Sequence, residues 1–242
     1  MSGTALKYLM MVLMVLDHIR YFVPREVWLV FHVASRCVAA FFAFMAVEGF
    51  IHTGSQIKYI RRLFVWAGLM FAGNTLLNEV IIRDAQYEVR NNIFLTLAFG
   101  VLILYLLEMS FHVARGAKRT AVLFCAAVLF LLAFFVAEGG FFIPIFMVIT
   151  YSCRENKKLR NLLYCALSAF VFLLEFSLAE GPFTSFWDRL YYVNFLFIIF
   201  LPFAYLYNGK RGKATKFTKY SFYIFYPLHL WLIALIAWRL QA

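Results

Sequence analysis

Apolar residues in this chain come in long blocks separated by short polar segments. The blocks cover residues 5–23, 27–51, 60–82, 92–113, 120–137, 141–151, 159–178, 189–207 and 217–240. Most approach the roughly 20 residues that a helix needs to cross a bilayer. They lack the strict alternation of barrel strands. The pattern predicts an all-α polytopic integral membrane protein with about nine transmembrane helices. Pro24 closes the first block, Gly139-Gly140 predicts a tight turn after the fifth, and the short sixth block holds Pro144. Asp17, His18 and Arg20 follow the first apolar run in place of a small-residue cleavage site, so that run reads as a retained span. Residues 1–242 show no linker, low-complexity tract or internal repeat and read as a single membrane domain.

Composition narrows the class further. Apolar residue types make up 64% of the chain and charged residues 14%, far from the balance of a soluble or a disordered protein. Mean hydropathy is +0.81. Net charge is +11, and its placement decides what it means. Every second connecting segment is basic: Lys58, Arg61 and Arg62; Arg115, Lys118 and Arg119; Arg154, Lys157, Lys158 and Arg160; Lys210, Arg211, Lys213, Lys216 and Lys219. By the positive-inside rule these segments are cytoplasmic, the N-terminus is inside and the C-terminus outside. The charge then faces anionic lipid, not nucleic acid. The four cysteines, Cys37, Cys125, Cys153 and Cys165, form no CxxC pair and suggest neither a disulfide framework nor a metal site.

Ionisable groups inside apolar blocks are costly and are functional candidates, against the alternatives of helix packing and snorkelling to the interface. Asp17 and His18 lie in the first block. Neighbours on a helix diverge by about 100°, so the two face different ways. An imidazole there suits a general base, and Asp17 suits a cation. Arg36 in the second block needs a counter-ion, and Asp17 across the hairpin is the expected partner. Glu48-Gly49 and His52-Thr53, followed by Lys58, Arg61 and Arg62, form either a mouth for an anionic cofactor or an interfacial collar. Asn74 and Asn78 share a helix face and are expected to glue helices together. Asn91 and Asn92 open the fourth block, with Asn91 expected as N-cap. His229 sits mid-block after Pro227, which predicts a kinked, broken helix. Glu108, Glu138, Glu175 and His112 read as interfacial. GxSxG, Walker, HExxH and CxxC motifs are missing. The chemistry left is acid–base work by histidine in a membrane cavity.

The run Leu6-Lys7-Tyr8 through Val12-Leu13-Met14-Val15-Leu16-Asp17-His18-Ile19 closely resembles the first span of the TraX family. Four more blocks agree in order: Ser35-Arg36-Cys37-Val38-Ala39-Ala40-Phe41-Phe42 on to Glu48-Gly49-Phe50-Ile51-His52-Thr53; Lys58-Tyr59-Ile60-Arg61-Arg62-Leu63; Asn91-Asn92-Ile93-Phe94-Leu95-Thr96; and Phe225-Tyr226-Pro227-Leu228-His229-Leu230. One departure is Ala39-Ala40, where the family usually has Phe-Pro. The last span also resembles that of the larger membrane acyltransferase superfamily. The resemblance implies a multi-pass protein of the bacterial inner membrane that moves an acetyl group from cytoplasmic acetyl-CoA to an amine or hydroxyl on the outer face. The acceptor is a protein such as pilin, or a lipid or glycan. The resemblance implies His18 as the best catalytic candidate; in the acetyl-transfer mechanism expected from it, His18 is the general base, Asp17 orients or stabilises charge, and His229 is a second acid–base group or the structural partner that closes the cavity. Arg36 and Asn92, with Asn91 beside it, would stabilise the carbonyl oxygen. Glu48, Lys58, Arg61 and Arg62 would border the acetyl-CoA site, with no metal. Two other readings stand beside acetyl transfer: a proton-coupled small transporter that uses Asp17, His18, Arg36 and His229, and a non-catalytic assembly factor for a surface appendage.

Overall fold

The computed structural model describes residues 1–136, 138, 142–178, 187, 190–212 and 215–241, and every regular element in them is helical. Helix α1 spans Gly3–His18, α2 Arg25–Ser35, α3 Cys37–Ile51 and α4 Gln56–Thr75, which continues as a π-helix over Leu76–Ile82. A 3-10 turn, Ala85–Tyr87, precedes α5 at Ile93–His112. Then come α6 at Ala117–Val136, α7 at Phe142–Ser152 and α8 at Lys157–Leu178. A 3-10 segment, Asn194–Ile199, leads into α9 at Phe200–Leu206, and α10 runs Lys216–Gln241. The expected Gly139-Gly140 turn, Lys213, and the block ends Ala137, Phe141 and Arg189 lie outside the described residues.

Among the described residues six helical stretches are long and apolar enough to cross a membrane: Arg25–Ile51, Gln56–Ile82, Ile93–His112, Ala117–Val136, Lys157–Ser177 and Tyr220–Leu240. The other three expected spans are short. α1 ends at His18, five residues before the expected boundary, because Ile19 leaves helical geometry at ψ 22° and the chain turns toward Pro24. Its 16 residues rise about 24 Å, against roughly 30 Å of hydrocarbon. Pro144 and Pro202 are each the third residue of their helix, α7 and α9. A missing N–H costs least in the first turn, so each proline fixes where its α-segment begins.

Contacts divide the chain into two compact units. The first comprises Met1–Phe42, Phe71–Arg90 and Ser168–Ala242. Here α1 packs against α2 and α10. It buries Leu6, Met10 and Met14, one helical face at i, i+4 and i+8. Ser2 caps α1 through its Oγ, and the Gly3 and Thr4 N–H groups donate to the Lys210 and Arg211 carbonyls at 2.9 and 3.0 Å. These bonds satisfy donors that a helix start would otherwise leave open. Phe42 stacks on Phe222 with centroids 4.0 Å apart. Asn74 does join helices, accepting from Trp231 Nε1 at 2.9 Å. Asn78 instead pins the following loop, bonding both the N–H and the carbonyl of Val89 at 3.0 Å.

The second unit comprises Ala43–Met70 and Asn91–Leu167. Its centre is α5, which packs against α6 and α7 and buries 56% of its apolar window. Phe146 stacks on Tyr164 at 4.6 Å, and the Tyr164 hydroxyl pairs with Thr150 Oγ1 at 2.7 Å. α6 is the opposite case, with 11% of its window buried and Phe124, Leu131 and Phe135 turned outward. Such a surface suits hydrocarbon and not water.

Candidate functional site

The candidate site belongs to the first unit and starts at the last turn of α1. Asp17 points toward α2. Its Oδ2 accepts from Arg36 Nη2 at 2.8 Å, and its Oδ1 lies 2.9 Å from His32 Nδ1. The Asp17 main-chain carbonyl also accepts from Trp28 Nε1 at 2.7 Å. The expected Asp17–Arg36 pair is thus formed. With side chains 19% and 18% exposed, it depends on hydrogen bonds as much as on charge.

Those hydrogen bonds extend the pair into a chain. Arg36 Nε donates to the His32 carbonyl at 3.0 Å and Nη1 to Asn194 Oδ1 at 3.1 Å. Asn194 Nδ2 donates to Glu175 Oε1 at 2.7 Å, and the Asn194 and Phe195 N–H groups reach the same carboxylate at 3.3 and 3.4 Å. His32 Nε2 faces the Tyr191 carbonyl at 3.3 Å while its ring stacks on the Tyr191 ring at 5.8 Å. The end of α1, the C-terminal part of α2, the end of α8 and the 3-10 segment before α9 therefore meet through one polar network.

His18 points the other way, toward α10. Its Nδ1 lies 2.7 Å from the Met14 carbonyl. A carbonyl only accepts, so Nδ1 carries a hydrogen, and in the neutral ring Nε2 keeps its lone pair. His229 repeats the arrangement, with Nδ1 2.9 Å from the Phe225 carbonyl. The two imidazoles meet edge to face, centroids 5.3 Å apart and planes at 81°, and the His229 ring stacks on Phe225 at 4.9 Å. His229 is buried, and its Nε2 has no hydrogen-bond partner among the described residues. A buried acceptor left unsatisfied costs about 1–3 kcal/mol. The broken helix expected at Pro227 does not occur: α10 runs through it, as apolar spanning helices often do.

The remaining predicted residues lie in the second unit. Asn92, not Asn91, caps α5: its Oδ1 accepts from the Leu95 N–H at 3.2 Å and its Nδ2 donates to the Ala67 carbonyl at 3.0 Å. The cap falls one residue later because Asn92 holds the non-helical backbone, at φ −153°. Asn91 Nδ2 donates to Glu138 Oε1 at 2.6 Å in the segment before α5, and Gln56 Nε2 donates to Glu108 Oε2 at 2.9 Å, which joins α4 to α5. Glu48, Lys58, Arg61 and Arg62 share the α3–α4 hairpin. Glu48 lies 4.0 Å from His52, Lys58 and Arg61 are exposed, and Arg62 lies 5.3 Å over the Tyr59 ring. Gly49 leaves room for that ring: a Cβ there would sit 2.9 Å from the Tyr59 hydroxyl.

Three participants escaped the sequence reading: His32, Asn194 and the linking role of Glu175. His32 is one turn from Arg36, and that i, i+4 spacing on the face opposite Asp17 is a usable signal.

A family model described as TraX protein matches residues 2–237. No curated protein and no solved structure matches the chain.

Proposed function

Because this chain belongs to the TraX family, we propose that it is an integral-membrane acetyltransferase of the bacterial inner membrane. Its donor is acetyl-CoA and its acceptor an amine or hydroxyl on the outer face, the N-terminus of a pilin being one candidate. The buried, unpartnered Nε2 of His229 beside the His18 ring carries the reading. A packing histidine has no need of an unsatisfied acceptor, whereas an acid–base group does.

In this proposal His18 Nε2 takes the proton from the acceptor as the acceptor nitrogen or oxygen bonds to the thioester carbonyl carbon. The carbon–sulfur bond breaks, and the proton passes to the leaving thiolate. His229 is the second acid–base group of the pair. Asp17 sets the charge at the end of α1, held in turn by Arg36 and His32. Three of the five N–H donors of Arg36 are engaged, so the others suit a developing oxyanion. Exposed Lys58 and Arg61, with Arg62, suit the phosphates of coenzyme A. By the positive-inside rule the basic residues of this hairpin suit a cytoplasmic position.

The test is acetyl transfer by the purified full chain from radiolabelled acetyl-CoA, with and without membrane extract from the native host, in wild type and His18→Ala. Label reaching a macromolecule only with His18 intact supports the proposal. Equal transfer by the folded variant refutes the role of His18. No transfer by either protein favours proton-coupled transport, with Asp17, His18 and His229 as the titratable groups and Arg36 as the fixed charge beside them.

A further inference from the structure

Glu175 has a second face. Its carboxylate holds Asn194 on one side and, on the other, lines a cavity of about 310 Å³ whose wall is otherwise apolar, with Phe172, Phe176, Tyr192 and Phe195 around it. Three N–H donors reach the carboxylate, all from Asn194 and Phe195, and only one of them reaches Oε2, at 3.4 Å. A carboxylate has about four acceptor positions, so Oε2 retains capacity. Among the described residues no Lys, Arg or His forms an ion pair with Glu175, and Arg36, the cation in the adjoining network, is already paired with Asp17. An unmatched carboxylate in an apolar wall is costly unless a cation joins it. Aromatic rings around it favour the same sign of charge through their π faces.

We propose that this cavity is a binding site for an organic ammonium group, with Glu175 as its counter-ion and Phe172, Phe176 and Tyr192 as its aromatic wall. The volume admits an ammonium and a few attached carbons. Metal cations fit poorly, because the wall offers one carboxylate and no further charged oxygens. An ammonium drawn to Oε2 also touches the group that holds Asn194, and Asn194 holds Arg36, so occupancy is felt at Asp17. The site stands on its own geometry and does not require the acetyl-transfer reading.

The experiment is equilibrium dialysis of the detergent-solubilised full chain against radiolabelled benzylammonium, with benzyl alcohol as the neutral control and no acetyl-CoA present. Wild type should bind benzylammonium saturably. Glu175→Gln, which keeps an oxygen for Asn194, should weaken that binding at least tenfold while leaving benzyl alcohol uptake unchanged. Tyr192→Leu, at an exposed ring, should weaken it several-fold, and it decides the matter if Glu175→Gln loses its helical content. Equal benzylammonium binding by wild type and the folded variants overturns the proposal, as does equal binding of the amine and the alcohol. Nanodiscs separate the sources of the ammonium. Weaker binding in phosphatidylethanolamine than in phosphatidylglycerol identifies a lipid headgroup as the resident ligand, and equal binding in both identifies a free amine.

Discussion

His18 and His229, from opposite ends of the chain, meet edge to face with each Nδ1 turned to the carbonyl four residues before it. Each neutral ring is thereby held in the same tautomer, with Nδ1 as donor and Nε2 as acceptor. Loss of a positioned general base typically slows a reaction about 10²–10⁴-fold, and His18→Ala should fall in that range in single-turnover acetyl transfer. His229→Phe separates chemistry from packing. The ring keeps most of its volume and the unsatisfied acceptor disappears. Activity should drop by a similar factor while the thermal unfolding midpoint in detergent stays level or rises. The variant also gives up the Nδ1 bond to the Phe225 carbonyl, so only a fall beyond the roughly 1 kcal/mol of that bond would show that Nε2 has a partner in solution.

Asp17→Asn removes the charge that Arg36 and His32 share. With both side chains about one-fifth exposed, the expected loss is roughly 1–3 kcal/mol, below that for a fully buried pair. Chemical unfolding of Asp17→Asn, Arg36→Gln and the double variant gives the coupling. The double variant should lose less than the sum of the singles. Additive losses would mean that the pair is not formed in the membrane protein.

Lys58 and Arg61 are exposed on α4, so replacing both with Ala should leave the fold intact. Under the acetyltransferase proposal the double variant raises KM for acetyl-CoA about tenfold with kcat little changed, the signature of lost uniform binding. The salt dependence of KM should weaken with it. Unchanged KM would place the phosphates elsewhere.

Two glycines of α4 make a paired test of packing. A Cβ at Gly73 would overlap the Trp231 indole, itself bonded to Asn74, whereas nothing lies within 4 Å of a Cβ at Gly68. Gly68→Ala should gain roughly 0.5–1 kcal/mol from backbone entropy. Gly73→Ala gains the same entropy but must displace a ring, for a net loss of about 1–3 kcal/mol. Thermal unfolding of the two variants should move in opposite directions.

The Asp17–Arg36 pair was legible because a short hairpin joins its two helices and few partners compete for an isolated guanidinium. His18 and His229 could each be picked out as ionisable groups among apolar neighbours. Their meeting could not, since no local rule links the first helix to the last. Asn194 lies in a 3-10 segment, where helical periodicity gives no face to read. Glu175 looked interfacial because its partners belong to that same segment. The short helices resisted length-based reading for a related reason: Pro144 and Pro202 set starting points that mean hydropathy does not register. The cap at Asn92 turned on one residue's backbone angle.

The backbone ties at the start of α1 have a mechanical meaning. Its first N–H groups are fastened to the Lys210 and Arg211 carbonyls just ahead of α10, and its final residue rests against His229 within α10. A rod fastened at one end to residues 210–211 and resting at the other on α10 cannot slide without releasing one of the two. The longitudinal setting of α1 against α10 is therefore fixed, and so is the spacing of the two imidazoles, much as a caliper holds a gap. A slide of α1 along its axis that opens the space between the rings must also strain the strap at residues 210–211, at the far end of the helix from the rings.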